Sequence, residues 1–306
     1  MLVIANLHMK QNQNIRYLSL TSIIICFLFY CCKSKNYIIY YNKVNEIDSI
    51  YRMAKQPEKA IKKYKKLFRK YHPLNQERIE EYETYIRVSD KYSKNFGGQK
   101  SLYRLIPLIA PYWRYKKEEK DFINLYKKYG IDSLNIEQKV AQWESKHYKT
   151  LIDSFVVAIG RDQYNNRSNS SEIFENDLKN AELLKWTFEN HGFPSKQKIG
   201  LYYKDTFMPM DVILLHMADY DEYHPYFKTK ILEYVKSGEC PPRDYAAMVD
   251  RNNLHHKIPY TYGVYQGYQN ITDSAKVNRN RKSIGLPSLK YRNKIAKDFS
   301  DSLKTK

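Results

Sequence analysis

Residues 57–70 read PEKAIKKYKKLFRK, and this stretch decides the fold class. Its apolar side chains recur every three or four residues, which is the spacing of one face of an α-helix. The members of this stripe are Ala60, Ile61, Tyr64, Leu67 and Phe68. Pro57 suits the first position of a helix because its ring presets φ and it has no N–H to leave unpaired. The stretch therefore predicts an amphipathic helix that begins at Pro57 and packs through the stripe.

The preceding segment predicts a partner for this helix. A stripe of the same spacing follows Tyr41, and its members are Val44, Ile47, Ile50 and Tyr51. The pattern breaks at residues 55–57, so a tight turn is expected to join the two helices. Short helix pairs with small and aromatic contact residues resemble tetratricopeptide hairpins, of which one repeat is legible here.

The rest of the chain is predicted to be helical as well. Further helical periods, in chain order, are residues 76–92, 100–110, 118–129, 136–160, 223–236 and 242–252. Residues 258–267 are rich in tyrosine and contain Gly263, which favours an extended turn or a short hairpin. The predicted fold class is mainly α, with a helical-hairpin region at 36–134 and a second helical domain at 135–306 that holds at most that short hairpin.

The composition limits the kinds of partner. A chain of 306 residues with 42% hydrophobic content can bury a sizeable core. Its formal net charge of +19 favours anionic partners. The basic excess is spread along the chain, however, and no nucleic-acid recognition module accompanies it. A solvated basic surface is therefore predicted, with no nucleic-acid partner and with loose attraction to anionic lipid or polysaccharide as the alternative.

Residues 1–32 predict a membrane-targeting segment. Lys10 and Arg16 give a positive flank, and the apolar run 18–30 that follows is short for a bilayer span. The run ends at Cys31 and Cys32. This order resembles a bacterial lipoprotein signal peptide, in which a cysteine becomes diacylated and anchors the chain. It implies that Cys31 or Cys32 carries the lipid and that the folded part lies in the cell envelope, outside the cytoplasm.

Some details of this segment leave alternatives open. Signal peptidases prefer a small residue before the modified cysteine, but Tyr30 precedes Cys31, whereas Cys31 precedes Cys32. An uncleaved signal anchor is the alternative to cleavage, and Met1 and Met9 are both candidate starts. Three of the four cysteines lie in this segment, so no disulfide framework is predicted.

The second half of the chain concentrates polar residues. His216 and Asp219 stand three apart in a predicted helix, which lets both side chains leave one face and touch. A carboxylate beside an imidazole fixes its tautomer and raises its basicity, which suits a base or a metal ligand. Adjacent Asp250 and Arg251 point to different faces of a helix, so each is expected to meet another segment.

The order of short motifs in this half resembles domain-of-unknown-function family 6624, which is common in bacterial lipoproteins and other exported proteins. The matching residues are Asp162-Gln163 with Arg167, Asp177 with Asn180, Gly192-Phe193-Pro194, Ile199-Gly200, His216 with Asp219, Asp250-Arg251, Tyr262-Gly263, and Arg281 with Gly285-Leu286-Pro287. Tyr260 and Val264 stand where the family tends to have Gln and Thr. The resemblance implies a shared domain and a set of candidate residues, without a particular reaction.

Two functions from different classes are predicted. The first is a surface-anchored binding module for another envelope protein or an anionic ligand, in which the polar residues satisfy one another inside the fold. The alternative is an extracytoplasmic hydrolase that uses His216 and Asp219 as a base pair and Arg161, Arg167 or Arg251 to bind an anionic group. The candidate catalytic residues are His216, Asp219 and Asp162, and the candidate binding residues are Gln163, Arg167, Asp250, Arg251 and Tyr262.

A metal site is a weaker alternative. His216 and Asp219, with Asp221 or His224, have the right ligand types. Their spacing matches no recognised metal motif, such as a His-Glu-x-x-His helix. No metal and no cofactor are therefore predicted.

Overall fold

The first two helices form the hairpin that the sequence predicts. In the computed structural model, which describes residues 35–203, 206–265 and 271–304, α1 is Tyr37–Arg52 and α2 is Pro57–Lys70. The apolar stripe of α2 is buried, α2 packs on α1, and basic side chains occupy the exposed face of α2. The predicted start of α2 and the hairpin are both confirmed.

Residues 1–34 lie outside the described residues, and with them the predicted signal segment 1–32 and its Cys31 and Cys32. The described part opens with a helix cap, since the side chain of Asn36 accepts a hydrogen bond from the Ile38 N–H at 2.9 Å. Within the described ranges, no helix combines the length and the apolar content needed to cross a bilayer.

The first half continues with short helices. They are α3 (Glu81–Lys91), α4 (Gly98–Ile109), α5 (Trp113–Lys116), α6 (Lys120–Lys128) and α7 (Ser133–Glu144). The helix predicted from Gln76 begins only at Glu81, because Arg78 and Glu80 take positive φ values of 69° and 47°. The Glu81 carboxylate accepts a hydrogen bond from the Gln76 N–H at 2.7 Å, which holds this entry segment folded back.

One long helix predicted over residues 136–160 is wrong, because the chain forms two helices there. The helix α7 ends at Glu144, and α8 is Lys149–Asp162. At the end of α7 the N–H groups of Lys146 and His147 donate to carbonyls three residues back, at 3.2 and 3.0 Å. These hydrogen bonds to the third residue back replace the bonds to the fourth residue back that would continue an α-helix, so α7 ends there.

In the described residues of the second half, the regular elements are helices and one pair of short strands. Its elements are α9 (Ser170–Asn190), α10 (Lys196–Ile199), β1 (Tyr202–Tyr203), β2 (Thr206–Phe207), α11 (Met210–His216), α12 (His224–Ser237), α13 (Pro242–His255), α14 (Ser274–Ile284) and α15 (Leu289–Lys304). The strands are antiparallel, and Tyr202 pairs with Phe207. The short hairpin is therefore at 202–207, and residues 258–265 form an extended turn instead. The mainly α class is confirmed.

The two halves share one core. Among the described residues, the buried apolar side chains come from both halves of the sequence, from Tyr40 in α1 to Ile295 in α15. The helix α1 packs on α12 and α14, and the side-chain amide of Asn45 donates to the Gly285 carbonyl at 2.9 Å. Gly285 has a φ of +90°, and a Cβ there would lie 2.5 Å from the Cβ of Tyr41. Asn36–Lys306 thus form one compact unit.

Candidate functional site

The site is centred on a histidine and an aspartate that end two helices. Asp162 is the last residue of α8, and His216 is the last residue of α11. Nδ1 of His216 lies 2.5 Å from Oδ1 of Asp162, and both residues are buried. Among the described residues, Nε2 of His216 has no hydrogen-bond partner. The buried carboxylate therefore orients the ring through one nitrogen and leaves the other unengaged.

A second carboxylate joins the pair through an arginine. Arg167 donates two hydrogen bonds to the Asp177 carboxylate, at 2.9 and 2.7 Å. It also donates to the Asp162 backbone carbonyl at 3.1 Å and to Oδ1 of Asp162 at 3.3 Å. The hydrogen bonds with Asp177 raise the pKa of Arg167. One guanidinium therefore serves two buried carboxylates, in the bidentate geometry that Arg favours.

The turn that carries Arg167 is unusual. Asn165, Asn166 and Arg167 all have left-handed backbone angles, with φ of 48°, 51° and 56°. Asn tolerates this region, but Arg rarely enters it, and such strain costs on the order of 1 kcal/mol or more per residue. The strained turn places the guanidinium of Arg167 beside Asp162 and Asp177. The ion pairs formed there stabilise the turn.

The network continues through Tyr220 and Asn180. The Tyr220 hydroxyl donates to Oδ2 of Asp177 at 2.7 Å. Burial, and then this bond to a carboxylate, raise the pKa of Tyr220 above its usual range. One turn after Asp177, the amide of Asn180 donates to the Ala158 carbonyl at 3.1 Å and so joins α9 to α8.

Three of these side chains have the chemistry of a metal site. Ligand atoms of Asp162, Asp177 and His216 lie within 4.8 Å of one another, and carboxylate oxygen with imidazole nitrogen is a donor set that zinc uses. The guanidinium of Arg167 already bonds both carboxylates and supplies the positive charge. A divalent cation would fit these donors only if Arg167 moved away.

The set of metal ligands considered from the sequence, His216 and Asp219 with Asp221 or His224, differs from the donors that meet in the structure. Asp221 pairs with His256 at 3.1 Å instead of approaching His216. The buried Nε2 atom of His224 has no hydrogen-bond partner among the described residues, and burial lowers the pKa of His224 to about 4. The donors that do meet His216 come from α8 and α9, which sequence spacing within one helix does not indicate.

The pairing of His216 with Asp219 is also corrected. Asp219 lies in the short 3-10 turn that follows α11, and Arg251 donates to it through Nε at 2.5 Å and through a second nitrogen. Arg251 also donates to the Tyr265 hydroxyl at 2.8 Å. A spacing of three permits contact without requiring it, and each residue instead meets a partner on a neighbouring element.

Burial and ion pairing act on Arg251 in opposite directions. Burial works to lower the pKa of Arg251, and its hydrogen bonds and charge attraction with Asp219 outweigh that effect and raise it. His255 lies 3.3 Å from Asp219 and is largely exposed at the edge of this pair.

Asp250 organises a loop through its carboxylate. Its oxygens accept the backbone N–H groups of Tyr262 at 2.9 Å and of Val264 at 2.7 Å. Burial raises the pKa of Asp250, although these N–H bonds oppose the rise. Arg281 donates to the Tyr262 carbonyl at 2.7 Å. Tyr262 therefore acts through its backbone, and adjacent Asp250 and Arg251 do meet different segments.

The structure divides the predicted residues among neighbouring clusters. Asp162 and Arg167 lie at His216, and the exposed Gln163 donates its amide to Asp162. Asp219 and Arg251 form an adjacent pair that connects to the imidazole cluster through Tyr220, the residue after Asp219.

Several contributors to the site lie outside the candidate residues predicted from the sequence, among them Asp177, Tyr220 and Tyr265. Asp177 could have been found, because it stands among the family-like motifs. The two tyrosines gave no signal in a chain that contains 30 of them.

Comparisons of the chain with family models, with curated proteins and with solved structures found no match. The resemblance to family 6624 therefore stays a prediction. The geometry of the described residues is what supports a function.

Proposed function

We propose that the chain is a lipid-anchored protein of the cell envelope whose helical body binds another envelope protein. The observation that supports a binding role most is the saturation of the buried charges. Asp162 and Asp177 are each 1% exposed, and Arg167, His216 and Tyr220 meet their oxygens. A hydrolase needs such groups to line an open cleft, whereas a binding module uses them to fix its helices.

An exposed aromatic surface supports a protein partner. Phe174, Leu178 and Trp186 are exposed side chains of α9, and Phe174 and Leu178, four residues apart, share one face. Trp186 and the exposed Tyr148 both contact the His191 ring, at centroid distances of 5.0 and 5.2 Å. Aromatic side chains of this kind dominate the binding energy of protein interfaces.

The anchored location is supported by the chain before the first helix. Cys32 lies five residues before Tyr37, the first residue of α1. A diacylated cysteine at Cys31 or Cys32 would thus hold the helical body directly at a membrane surface.

A hydrolase is the second candidate, and one observation favours it. Asp162 engages Nδ1 of His216 and leaves Nε2 unengaged, which is the arrangement of a general base oriented by a carboxylate. The base pair is then His216 with Asp162, in place of Asp219. Arg167 and Arg251 are occupied by Asp177 and Asp219, which makes them poor ligands for an anionic substrate. The buried Nε of Arg161, by contrast, has no hydrogen-bond partner among the described residues.

Turnover and partner cross-linking test the two candidates together. The full chain is screened against ester, peptide, glycoside and phosphoester substrates beside a His216→Ala variant. If the chain is a binding module, none of these substrates should be turned over in a way that depends on His216. The binding role also predicts that Tyr148→Ser with Trp186→Ser lowers surface cross-linking to the partner, while Leu134→Ser, which alters an exposed apolar residue elsewhere, does not. Turnover that His216→Ala abolishes without changing the unfolding temperature would overturn the binding role in favour of the hydrolase.

A further inference from the structure

The exposed face of α2 carries a row of cations. Lys59, Lys62, Lys66 and Arg69 are spaced by three, four and three residues, so they lie along one side of the helix. We call these four residues the basic row. All four are exposed, and none forms an ion pair with a described residue. The neighbouring Lys63, by contrast, pairs with Glu46.

The basic row destabilises the helix on which it lies. Like charges three or four residues apart on a helix repel one another and weakly destabilise it. The acidic residue of α2, Glu58, is already paired with Lys94. An external anionic surface would relieve this repulsion along the whole row.

The end of α2 contacts a residue that stands near the predicted anchor in the sequence. The ring of Tyr37 lies 5.5 Å from the ring of Tyr71, which directly follows α2, and its hydroxyl donates to the His72 carbonyl at 3.4 Å. Tyr37 is only five residues after Cys32, and five extended residues span at most about 18 Å. The residue that directly follows α2 therefore contacts Tyr37, which stands only five positions after the predicted anchor in the sequence.

We propose that the basic row binds the anionic headgroups of the membrane that holds the acyl chains. This proposal rests on the lipid-anchored location in the proposed function. A helix of 14 residues is about 21 Å long, so α2 can lay all four cations along the headgroup layer. Each cation within a Debye length of an anionic surface strengthens binding about fivefold.

Vesicle binding by residues 33–306 tests the row without the anchor, since Asn36–Lys306 form one compact unit. The vesicles contain phosphatidylcholine alone or mixed with phosphatidylglycerol. The expected result is binding to the anionic vesicles, little binding to the neutral ones, and weakening by salt. Residues 33–306 lack both candidate acylated cysteines, so this test does not depend on the lipid anchor. A failure of the headgroup proposal can therefore be distinguished from a failure of the proposed lipid anchor.

Matched variants distinguish the effect of the basic row on vesicle binding from the effect of the overall net charge. The row variant carries Lys59→Gln, Lys62→Gln, Lys66→Gln and Arg69→Gln. The control removes four exposed cations elsewhere, through Lys127→Gln, Lys179→Gln, Lys228→Gln and Lys236→Gln. Glutamine keeps helix propensity near that of Lys and Arg, and circular dichroism verifies folding.

The row variant is expected to lose at least tenfold in affinity for anionic vesicles, and the control less than threefold. Equal losses in the two variants would overturn the proposal, because net charge alone would then explain binding. Wild-type binding to soluble dextran sulfate but not to anionic vesicles would overturn it in favour of a polysaccharide partner.

Discussion

Nδ1 of His216 contacts Oδ1 of Asp162 at 2.5 Å across 54 residues of chain. The contact ties the end of α11 to the end of α8, and Arg167 then ties both to α9 through Asp177. Loss of one member leaves a buried group without its partner, which costs more than the net value of the contact. The stability of the second half therefore depends on these few side chains.

The ion pairs of Arg167 are expected to be among the most sensitive contacts. Arg167→Ala should lower the free energy of unfolding by about 3 kcal/mol, because two buried carboxylates lose their counterion. Arg167→Lys should recover less than half, since an ammonium cannot donate in the bidentate geometry seen with Asp177. Urea denaturation measures both. Arg243→Ala, at an exposed position, is the control, and full recovery by Lys would contradict the bidentate account.

Removal of Arg167 should also create a metal site. In Arg167→Ala the donors of Asp162, Asp177 and His216 are freed from the guanidinium, so Zn²⁺ should raise the unfolding temperature through preferential binding to the folded state. Wild type should respond much less. Adding Asp177→Asn to Arg167→Ala should remove the effect, and an equal response in all three proteins would show that the zinc binds elsewhere.

Asp244 should make stability depend on pH. Burial, then the negative charge of Asp211, raise the pKa of Asp244 to about 7, against about 3.9 when unfolded. The folded state therefore holds the proton more tightly, and the stabilisation present below pH 4 is lost as the pH rises through 7. Relative to Asp244→Asn, wild type should lose roughly 2 kcal/mol of unfolding free energy between pH 4 and pH 8. A difference between the two proteins that stays constant with pH would contradict this.

The anchor is tested by metabolic labelling with a fatty acid. The full chain should incorporate the label, and the combined variant Cys31→Ser with Cys32→Ser should lose it. Cys240→Ser is the control and should keep the label, since the Cys240 thiol is buried and donates to the Pro241 carbonyl at 3.4 Å. Absence of label from wild type would instead favour an uncleaved signal anchor.

Local patterns predicted the helices well and their ends less well. The stripe of residues 57–70 specifies α2 because amphipathic spacing is a local property. The break between α7 and α8 was missed because the tighter hydrogen bonds of Lys146 and His147 leave no trace in the apolar period. Likewise, the positive φ values before Glu81 depend on contacts made by its carboxylate with Gln76 and Tyr40.

The site was predictable in most of its charged members but not in its pairs. Adjacent positions on a helix point about 100° apart, so the separate partners of Asp250 and Arg251 follow from the sequence. The partner of His216 does not, because it depends on how α8 and α11 pack across 54 residues. A spacing of three made Asp219 a plausible choice, and Arg251 from α13 takes that carboxylate instead.

The coupling between the Asp162 and His216 side chains decides whether they act as one buried unit. It is obtained from the free energies of unfolding of wild type, Asp162→Ala, His216→Ala and the double variant, with His256→Ala as an exposed control. We predict that each single substitution costs about 2–4 kcal/mol and that the double costs at least 1 kcal/mol less than their sum. Costs that add within about 0.5 kcal/mol, or single variants as stable as wild type, would contradict the network.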